Sequence, residues 1–209
     1  MIEVKTIISG SLDENCYVVY DLKSLNAAII DPGEDGDKVI VGIKKGGFKP
    51  EILINTHGHY DHMLSDDAIR AEFQIPLAIH RDDVHMLSDV YKNGSAMFGT
   101  SGIAKSPDML FEDNQKVKLS FTSFKVIHTP GHTKGGICLL FEGFLITGDT
   151  LFAGTIGRTD FDGGDYKEMA SSLSKIKNLD PSLIIYPGHG SSTTLANELR
   201  YNQYLIDNL

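Results

Sequence analysis

The chain has 209 residues, of which 41% are hydrophobic and 22% are charged, a composition that is ordinary for a globular protein with one core. It carries 28 acidic and 19 basic residues, for a net charge of −9. Nucleic-acid backbones and anionic membranes both bind basic surfaces, so this charge argues against either as the main partner. We predict one domain over residues 1–209.

The first half of the chain reads as strands and turns with two helices. Short runs rich in β-branched and aromatic residues, stopped by turn residues, predict buried strands. These predicted strands cover residues 4–9, 16–21, 27–31, 52–55 and 77–79. A helix is predicted from Asp37 to Ile43, and a second opens at Asp61 or Ser65 and reaches about Phe73.

The second half of the chain has a similar order of predicted strands and helices. Residues 82–109 lack a clear period, and 92–102 predict a mobile loop. Strands are then predicted near 116–120, 124–128, 136–141, 144–147 and 183–186, with helices over 166–178 and 194–205. Strands followed by a helix, given twice, predict an α/β protein in which two sheets pack face to face with helices outside them.

Five histidines and two aspartates lie just past the ends of predicted strands. Three of the histidines and one aspartate fall within the segment 57–62, and the rest lie near residues 132, 149 and 189. The candidate ligands are His57, His59, Asp61, His62, His132, Asp149 and His189. Open α/β sheets collect their active sites at the carboxyl ends of strands, so we expect these side chains to meet.

Imidazole and carboxylate groups are ligands that zinc and similar ions accept. One ion needs three or four protein ligands, so seven candidates indicate two ions. Asp149 is the natural bridge, because a carboxylate has two oxygens whereas an imidazole has one available lone pair. Two ions about 3.5–4 Å apart hold a shared water and lower its pKa to about 7. The sequence therefore predicts hydrolysis of an ester-like bond by a metal-bound hydroxide.

The other histidines and the two cysteines give weaker indications of a functional role. His85 lies in a polar stretch and is expected to be solvated, whereas His80 and His128 end strands and are expected to be structural or to support ligands. Cys16 and Cys138 are too few for a disulfide framework and are typical of a reduced compartment. No signal peptide or apolar span of about 18 residues is present, so a cytoplasmic protein is expected.

These motifs resemble those of the metallo-β-lactamase-fold hydrolases, and within them the short glyoxalase II-like group of hydroxyacylglutathione hydrolase relatives. The matching segments are 57–62, 129–133, 148–152, 157–161 and 187–190. The resemblance implies an αββα sandwich of two mixed β-sheets with outer helices. It implies one metal held by His57, His59 and His132, and a second held by Asp61, His62 and His189. Asp149 bridges the two.

The same resemblance implies two divalent metal ions, with zinc expected and iron or manganese as alternatives, and Asp61 and Asp149 as catalytic residues. β-Lactamases usually lack the second-metal set at Asp149 and His62, which disfavours antibiotic hydrolysis. Oxygen-reducing diiron relatives carry a carboxylate in place of His59.

The C-terminal region, which bears on substrate recognition, differs from that of full-length glyoxalase II. Full-length glyoxalase II has a longer C-terminal region that grips glutathione, whereas here Arg200 is the single basic residue after His189. Arg158 is a candidate substrate-binding residue, with an ion pair to Asp160 as the alternative. We expect a hydrolase that acts on a small-molecule thioester.

Two other activities stay open at this point. One is a glutathione persulfide dioxygenase with a single iron, and the other is a lactonase. Dioxygenase relatives often carry a cysteine just before Gly157, where this chain has Ile156, which favours the hydrolase. The oligomeric state is not set by the sequence.

Overall fold

A computed structural model describes residues 1–206, so the last three residues of the predicted domain lie outside the described part. Two six-stranded sheets form its centre. The first sheet contains, in spatial order, β1 (Ile2–Ser9), β2 (Glu14–Asp21), β3 (Asn26–Ile30), β4 (Lys49–Ile54), β5 (Leu77–His80) and β6 (Met109–Phe111). β1, β2 and β3 pair antiparallel, whereas β3 to β6 run parallel.

The second sheet is mixed as well. It contains, in spatial order, β14 (Thr193–Thr194), β13 (Ile184–Pro187), β10 (Phe144–Gly148), β9 (Ile137–Phe141), β8 (Ser123–His128) and β7 (Lys116–Lys118). Only β10 and β13 are parallel neighbours among these strands. A separate hairpin of β11 (Leu151–Phe152) and β12 (Thr155–Ile156) follows β10.

The helices begin and end at recognisable signals. They are α1 (Gly36–Gly46), α2 (Tyr60–Met63), α3 (Asp66–Phe73), α4 (Tyr166–Lys177), α5 (Leu195–Tyr201) and α6 (Gln203–Ile206), with 3₁₀ helices at Arg81–Ser88 and Ser95–Phe98. The Asp165 side chain accepts hydrogen bonds from the backbone N–H groups of Lys167 and Glu168 and so caps α4. α1 ends because Gly47 adopts a left-handed conformation, with φ of +67°.

Alternation along the strands creates three apolar layers. Tyr17 and Val19 of β2 point between the sheets, where they join residues of β10 such as Ile146. Cys16 and Val18 point the other way, into a core that includes α1 and α3. On the far side, Cys138 and Leu145 of the second sheet pack with Met169, Leu173 and Ile176 of α4. This is the αββα sandwich of two mixed sheets with outer helices, as predicted.

Some local expectations were wrong. The predicted final helix over 194–205 is two helices, because Asn202 has an extended backbone and donates its side-chain N–H to Glu198 and to the carbonyl of Thr155. The irregular segment 82–109 contains two 3₁₀ helices, and the short strand β6 begins at its end. Sequence periodicity missed β6, whose three residues are defined by parallel pairing with β5.

Across residues 1–206, no helix combines the length and apolarity needed to cross a membrane.

Candidate metal centre

The seven predicted ligands lie together in the structure, and both sheets deliver them. The segment 57–62 follows β4 in the first sheet. In the second sheet, His132 follows β8, Asp149 follows β10, and His189 follows β13. The ligand atoms form overlapping groups in which all members lie within 4.8 Å of one another.

One group consists of His57, His59 and His132. Nδ1 of His59 lies 2.9 Å from Nε2 of His132, and the ring of His57 lies 4.9 Å from each of these two rings. All three side chains are buried. Their nitrogen atoms therefore face a common point.

A second group consists of Asp61, His62 and His189. Oδ2 of Asp61 lies 3.2 Å from Nε2 of His189 and 3.7 Å from Nε2 of His62. His62 is completely buried, whereas the His189 side chain keeps 25% of its surface exposed. The second group thus lies at the solvent side of the cluster.

Asp149 lies between the two groups. Its Oδ2 is 3.4 Å from Nε2 of His132, and its Oδ1 is 3.5 Å from Nε2 of His62. Oδ2 is also 3.7 Å from Nε2 of His189. The two oxygens of one carboxylate therefore reach histidines of both groups.

The residues present fit divalent metal ions. Nε2 of His57, Nε2 of His62 and Oδ1 of Asp149 are buried and have no hydrogen-bond partner among the described residues. Buried polar atoms in native proteins are nearly always paired, so atoms of this kind that converge on one point call for a ligand. The nitrogen and oxygen donors suit zinc, iron or manganese.

Two of the histidines are held neutral, which is the form that binds metal. Burial, and then the neighbouring rings of His62 and His132, lower the pKa of His57 well below its ordinary value. For His59, burial and then the ring of His132 lower the pKa in the same way.

The carboxylates in and around the second group favour positive charge at that position. Burial alone would raise the pKa of Asp61, but His62 and His189 outweigh it and lower the pKa below its ordinary value, so Asp61 is ionised. Burial lowers the pKa of His62, yet Asp61, Asp149 and Asp31 outweigh it and raise the pKa to about 10. A cation in this group is therefore favoured electrostatically.

Sequence reasoning missed Asp31, which orients His62. Its Oδ2 lies 3.1 Å from Nδ1 of His62 and accepts a hydrogen bond from the Thr56 hydroxyl, while its Oδ1 accepts the Thr56 N–H. These bonds turn Nδ1 of His62 away from the cluster and Nε2 toward it. The sequence did contain an indication of this role, because Asp31 directly follows β3 just as the candidate ligands follow their strands.

Asp83 was missed as well, and it joins two of the ligand loops. Its carboxylate accepts hydrogen bonds from the N–H of Gly58, the hydroxyl of Thr133 and the N–H of Gly135. Gly58 lies between His57 and His59 in the chain, and Thr133 follows His132, so Asp83 ties these loops together. It lies in the segment without periodicity, and no local signal identified it.

Gly188 is needed for a close approach to the centre. A Cβ at this position would lie 2.2 Å from Oδ1 of Asp149 and 2.8 Å from Cε1 of His62. Any side chain there would displace the carboxylate that lies between the two groups.

The remaining sequence candidates lie outside the cluster. The rings of His80 and His128 stack on each other with centroids 4.0 Å apart, and His85 is exposed. The Arg158 guanidinium forms two hydrogen bonds with Asp160, of 2.7 and 2.8 Å, and lies 3.6 Å from the centre of the Phe161 ring. Of the two roles considered for Arg158, the ion pair is present in the structure.

Comparison with known families agrees with this geometry. The profile of the metallo-beta-lactamase superfamily matches residues 10–189. The chain belongs to this superfamily. The match contains all seven clustered residues, and the fold is that of the superfamily's solved members.

Individual superfamily members cover nearly the whole chain. Hydroxyacylglutathione hydrolase GloC of Haemophilus influenzae is 34% identical in an alignment of 207 positions that covers 97% of this chain and 97% of GloC. The crystal structure of BLEG-1, called a B3 metallo-beta-lactamase, is 36% identical with a TM-score of 0.94 and covers 97% of this chain and 99% of its own. TTHA1623, solved in a di-iron-bound form, is 29% identical with a TM-score of 0.85, covering 96% of this chain and 100% of its own.

Proposed function

We propose that this superfamily member is a cytoplasmic hydrolase of small thioesters that uses two divalent metal ions, with zinc expected. The observation that carries the proposal is the position of Asp149, whose Oδ2 lies 3.4 Å from His132 and whose Oδ1 lies 3.5 Å from His62. A carboxylate whose two oxygens reach histidines of both groups is suited to bridge a pair of ions.

The candidate ligands would be divided between the two ions. His57, His59 and His132 would hold one ion, and Asp61, His62 and His189 the other, with Asp149 shared. Two such ions would supply a bound water with a pKa lowered to about 7 and would polarise a carbonyl oxygen.

Asp61 and Asp149 are the carboxylates of this site that would take part in catalysis. The Asp61 side chain is 10% exposed, and it is ionised because His62 and His189 lower its pKa. It can therefore orient the attacking water by accepting a hydrogen bond from it.

The surroundings of the cluster favour a small substrate with an apolar acyl group. The ring of Phe161 lies 5.8 Å from that of His59, and the ring of Phe152 lies 6.2 Å from that of His189. Aromatic rings therefore border both histidine groups. GloC, whose name assigns it to hydroxyacylglutathione hydrolysis, supports a thioester as the bond that is cleaved.

The nearby cations do not favour a large anionic carrier. Arg158 is engaged by Asp160, and Lys92 forms an ion pair with Asp162 at 2.5 Å. A glutathione carboxylate would have to compete with these carboxylates for its contacts. We therefore propose that the acyl group, rather than glutathione, is recognised.

β-Lactam hydrolysis is a second candidate, because BLEG-1 is 36% identical and carries the name of a B3 metallo-beta-lactamase. The persulfide dioxygenase and the lactonase are further alternatives to the thioesterase. The di-iron form of TTHA1623 makes iron the ion to test beside zinc.

One set of assays separates these activities. Zinc-loaded and iron-loaded protein is given an S-2-hydroxyacyl-glutathione, a short acyl thioester, a lactone and the β-lactam nitrocefin, and oxygen uptake is followed with glutathione persulfide. We expect thioester cleavage to exceed the other activities in kcat/KM. Rapid oxygen consumption by the iron form with negligible thioester hydrolysis would assign the chain to the dioxygenases, and faster nitrocefin turnover would assign it to the β-lactamases.

A further inference from the structure

The hairpin formed by β1 and β2 contacts, through residues 10–17, the loop that carries His189. Nδ1 of His189 donates a hydrogen bond to the backbone carbonyl of Leu12 at 3.0 Å. This bond joins residues that are 177 positions apart in the chain. It leaves Nε2 of His189 as the nitrogen that faces Asp61.

Asn15 holds this loop on both sides of His189. Its side-chain Nδ2 donates to the carbonyl of Pro187 at 3.0 Å and to the carbonyl of Gly190 at 2.8 Å. Its backbone N–H donates to the carbonyl of Gly188 at 2.8 Å. Asn15 is 4% exposed, so these bonds are shielded from water. One side chain and its own backbone thus bind three of the four residues 187–190.

Two further hairpin residues reach the same region. The hydroxyl of Tyr17, which is 2% exposed, donates to the carbonyl of Pro187 at 2.6 Å. The Glu14 carboxylate is buried, and its Oε1 lies 3.8 Å from Nδ1 of His62. The hairpin therefore contacts both histidines of the second group.

The first group has no such support from this hairpin. Within the described part of the chain, no hydrogen bond joins residues 10–17 to His57, His59 or His132. Those three side chains depend on other partners, such as Thr56 beside His57 and the carbonyl of Arg158 beside His132.

We infer that the β1–β2 hairpin, through Asn15 and Tyr17, positions His189 and thereby sets the affinity of the second metal position independently of the first. The inference rests on the proposal that the centre holds two ions. The physical reason is the loop itself. His189 lies between Gly188 and Gly190, which has φ of +77°, so its backbone is not held by side chains of its neighbours. The hairpin bonds restrain the loop on one side, and the Gly188 N–H restrains it on the other by donating to the carbonyl of Gly148 at 2.8 Å.

The test compares zinc binding by the whole protein and its variants. Asn15→Ala removes two side-chain hydrogen bonds, and Tyr17→Phe removes one hydroxyl while the ring keeps its packing. Asn26→Ala is the matched control, because its side chain donates to Ser120 on the surface, away from the centre. Metal-free protein is titrated with zinc, and anomalous scattering from crystals assigns each ion to its position.

For Asn15→Ala we expect zinc affinity at the second position to fall about 10- to 100-fold, as is usual when partners of metal-binding histidines are lost, with the first position within about threefold of wild type. Tyr17→Phe should act in the same direction by a smaller factor, and Asn26→Ala should change neither position. Equal weakening at both positions, or no change at either, overturns the inference. If Asn15→Ala does not fold by circular dichroism, the Tyr17→Phe titration decides.

The outcome also separates this inference from the two-ion proposal. Wild-type protein that binds one ion at saturating zinc refutes both. Wild-type protein that binds two ions, with unchanged affinities in the hairpin variants, refutes only the role of the hairpin.

Discussion

Oδ2 of Asp31 lies 3.1 Å from Nδ1 of His62, and neither side chain has more than 1% of its surface exposed. Asp31 also accepts both the N–H and the hydroxyl of Thr56, so its position is held from two sides. Partners of this kind fix the orientation of a metal-binding ring and raise its basicity. The carboxylate of Asp31 thus decides which nitrogen of His62 faces the metal centre.

Replacing Asp31 should weaken metal binding. Asp31→Asn keeps the size of the side chain but removes its charge, so we expect zinc affinity to fall about 10- to 100-fold. Isothermal titration of metal-free protein measures the change, with Asp180→Asn, on an exposed turn, as the control. Unchanged affinity in Asp31→Asn would show that the orientation of His62 does not depend on this carboxylate.

The centre should bind two ions per chain. Seven candidate ligands surround it, whereas one ion uses about four. Removal of metal with a chelator should abolish thioesterase activity, and zinc should restore it at two equivalents, as counted by elemental analysis. A plateau at one equivalent under saturating zinc contradicts the prediction.

Asp149→Ala should cost more than the loss of an ordinary ligand, because this carboxylate serves both groups. We expect kcat/KM for a thioester to fall at least about a thousandfold, which corresponds to roughly 4 kcal/mol. Steady-state kinetics and metal content are measured together, and the same Asp180→Asn control should retain wild-type rates. A variant that keeps two ions and most of its activity would refute the bridging role.

Glutathione should contribute little to substrate recognition, because Arg158 is already paired with Asp160. We expect kcat/KM values for a glutathione thioester and for a shorter acyl thioester to lie within about tenfold of each other. A preference for glutathione of a hundredfold or more corresponds to about 2.7 kcal/mol of specific contacts and would contradict this expectation.

The His80 ring should make stability depend on pH. Burial, and then the stacked ring of His128, lower the pKa of His80 from 6.5 to about 4, with Asp82, Arg81 and Asp113 as the other charges that act on it. Between these values the unfolded chain binds a proton that the folded chain does not. The effect of His80 therefore fades as the pH rises above 6.5, and stability falls as the pH decreases from 6.5 to 4.

His80→Asn isolates this contribution, because its side-chain oxygen can replace Nδ1 as acceptor for the N–H of Asp82. Urea unfolding at pH 7 and pH 5 should show a pH-dependent loss of stability that is smaller in the variant by about 2 kcal/mol. Each protein is compared with itself at the two pH values, so a constant effect of the substitution cancels. An equal pH dependence in both proteins would contradict the prediction.

The sequence by itself determined the longer strands and the candidate ligands, because both are local patterns, whereas β6 and the two-residue strands β11, β12 and β14 were not predicted. Ile52, Leu53 and Ile54 alternate between the two faces of β4, and the 57–62 segment follows directly. The order of strands and helices then restricted the architecture to two sheets with helices outside. These features depend on residues within a few positions of one another, and so they can be read along the chain.

Only the tertiary structure decided what surrounds the ligands. Asn15 binds Pro187 across 172 positions, and Asp83 binds Gly135 across 52. The final helix breaks at Asn202 because its side chain reaches the carbonyl of Thr155 in another element. Such contacts leave no period in the sequence, since a hydrogen bond to a backbone carbonyl requires proximity but no particular residue type at the acceptor. They form only when the two sheets pack and bring distant loops together.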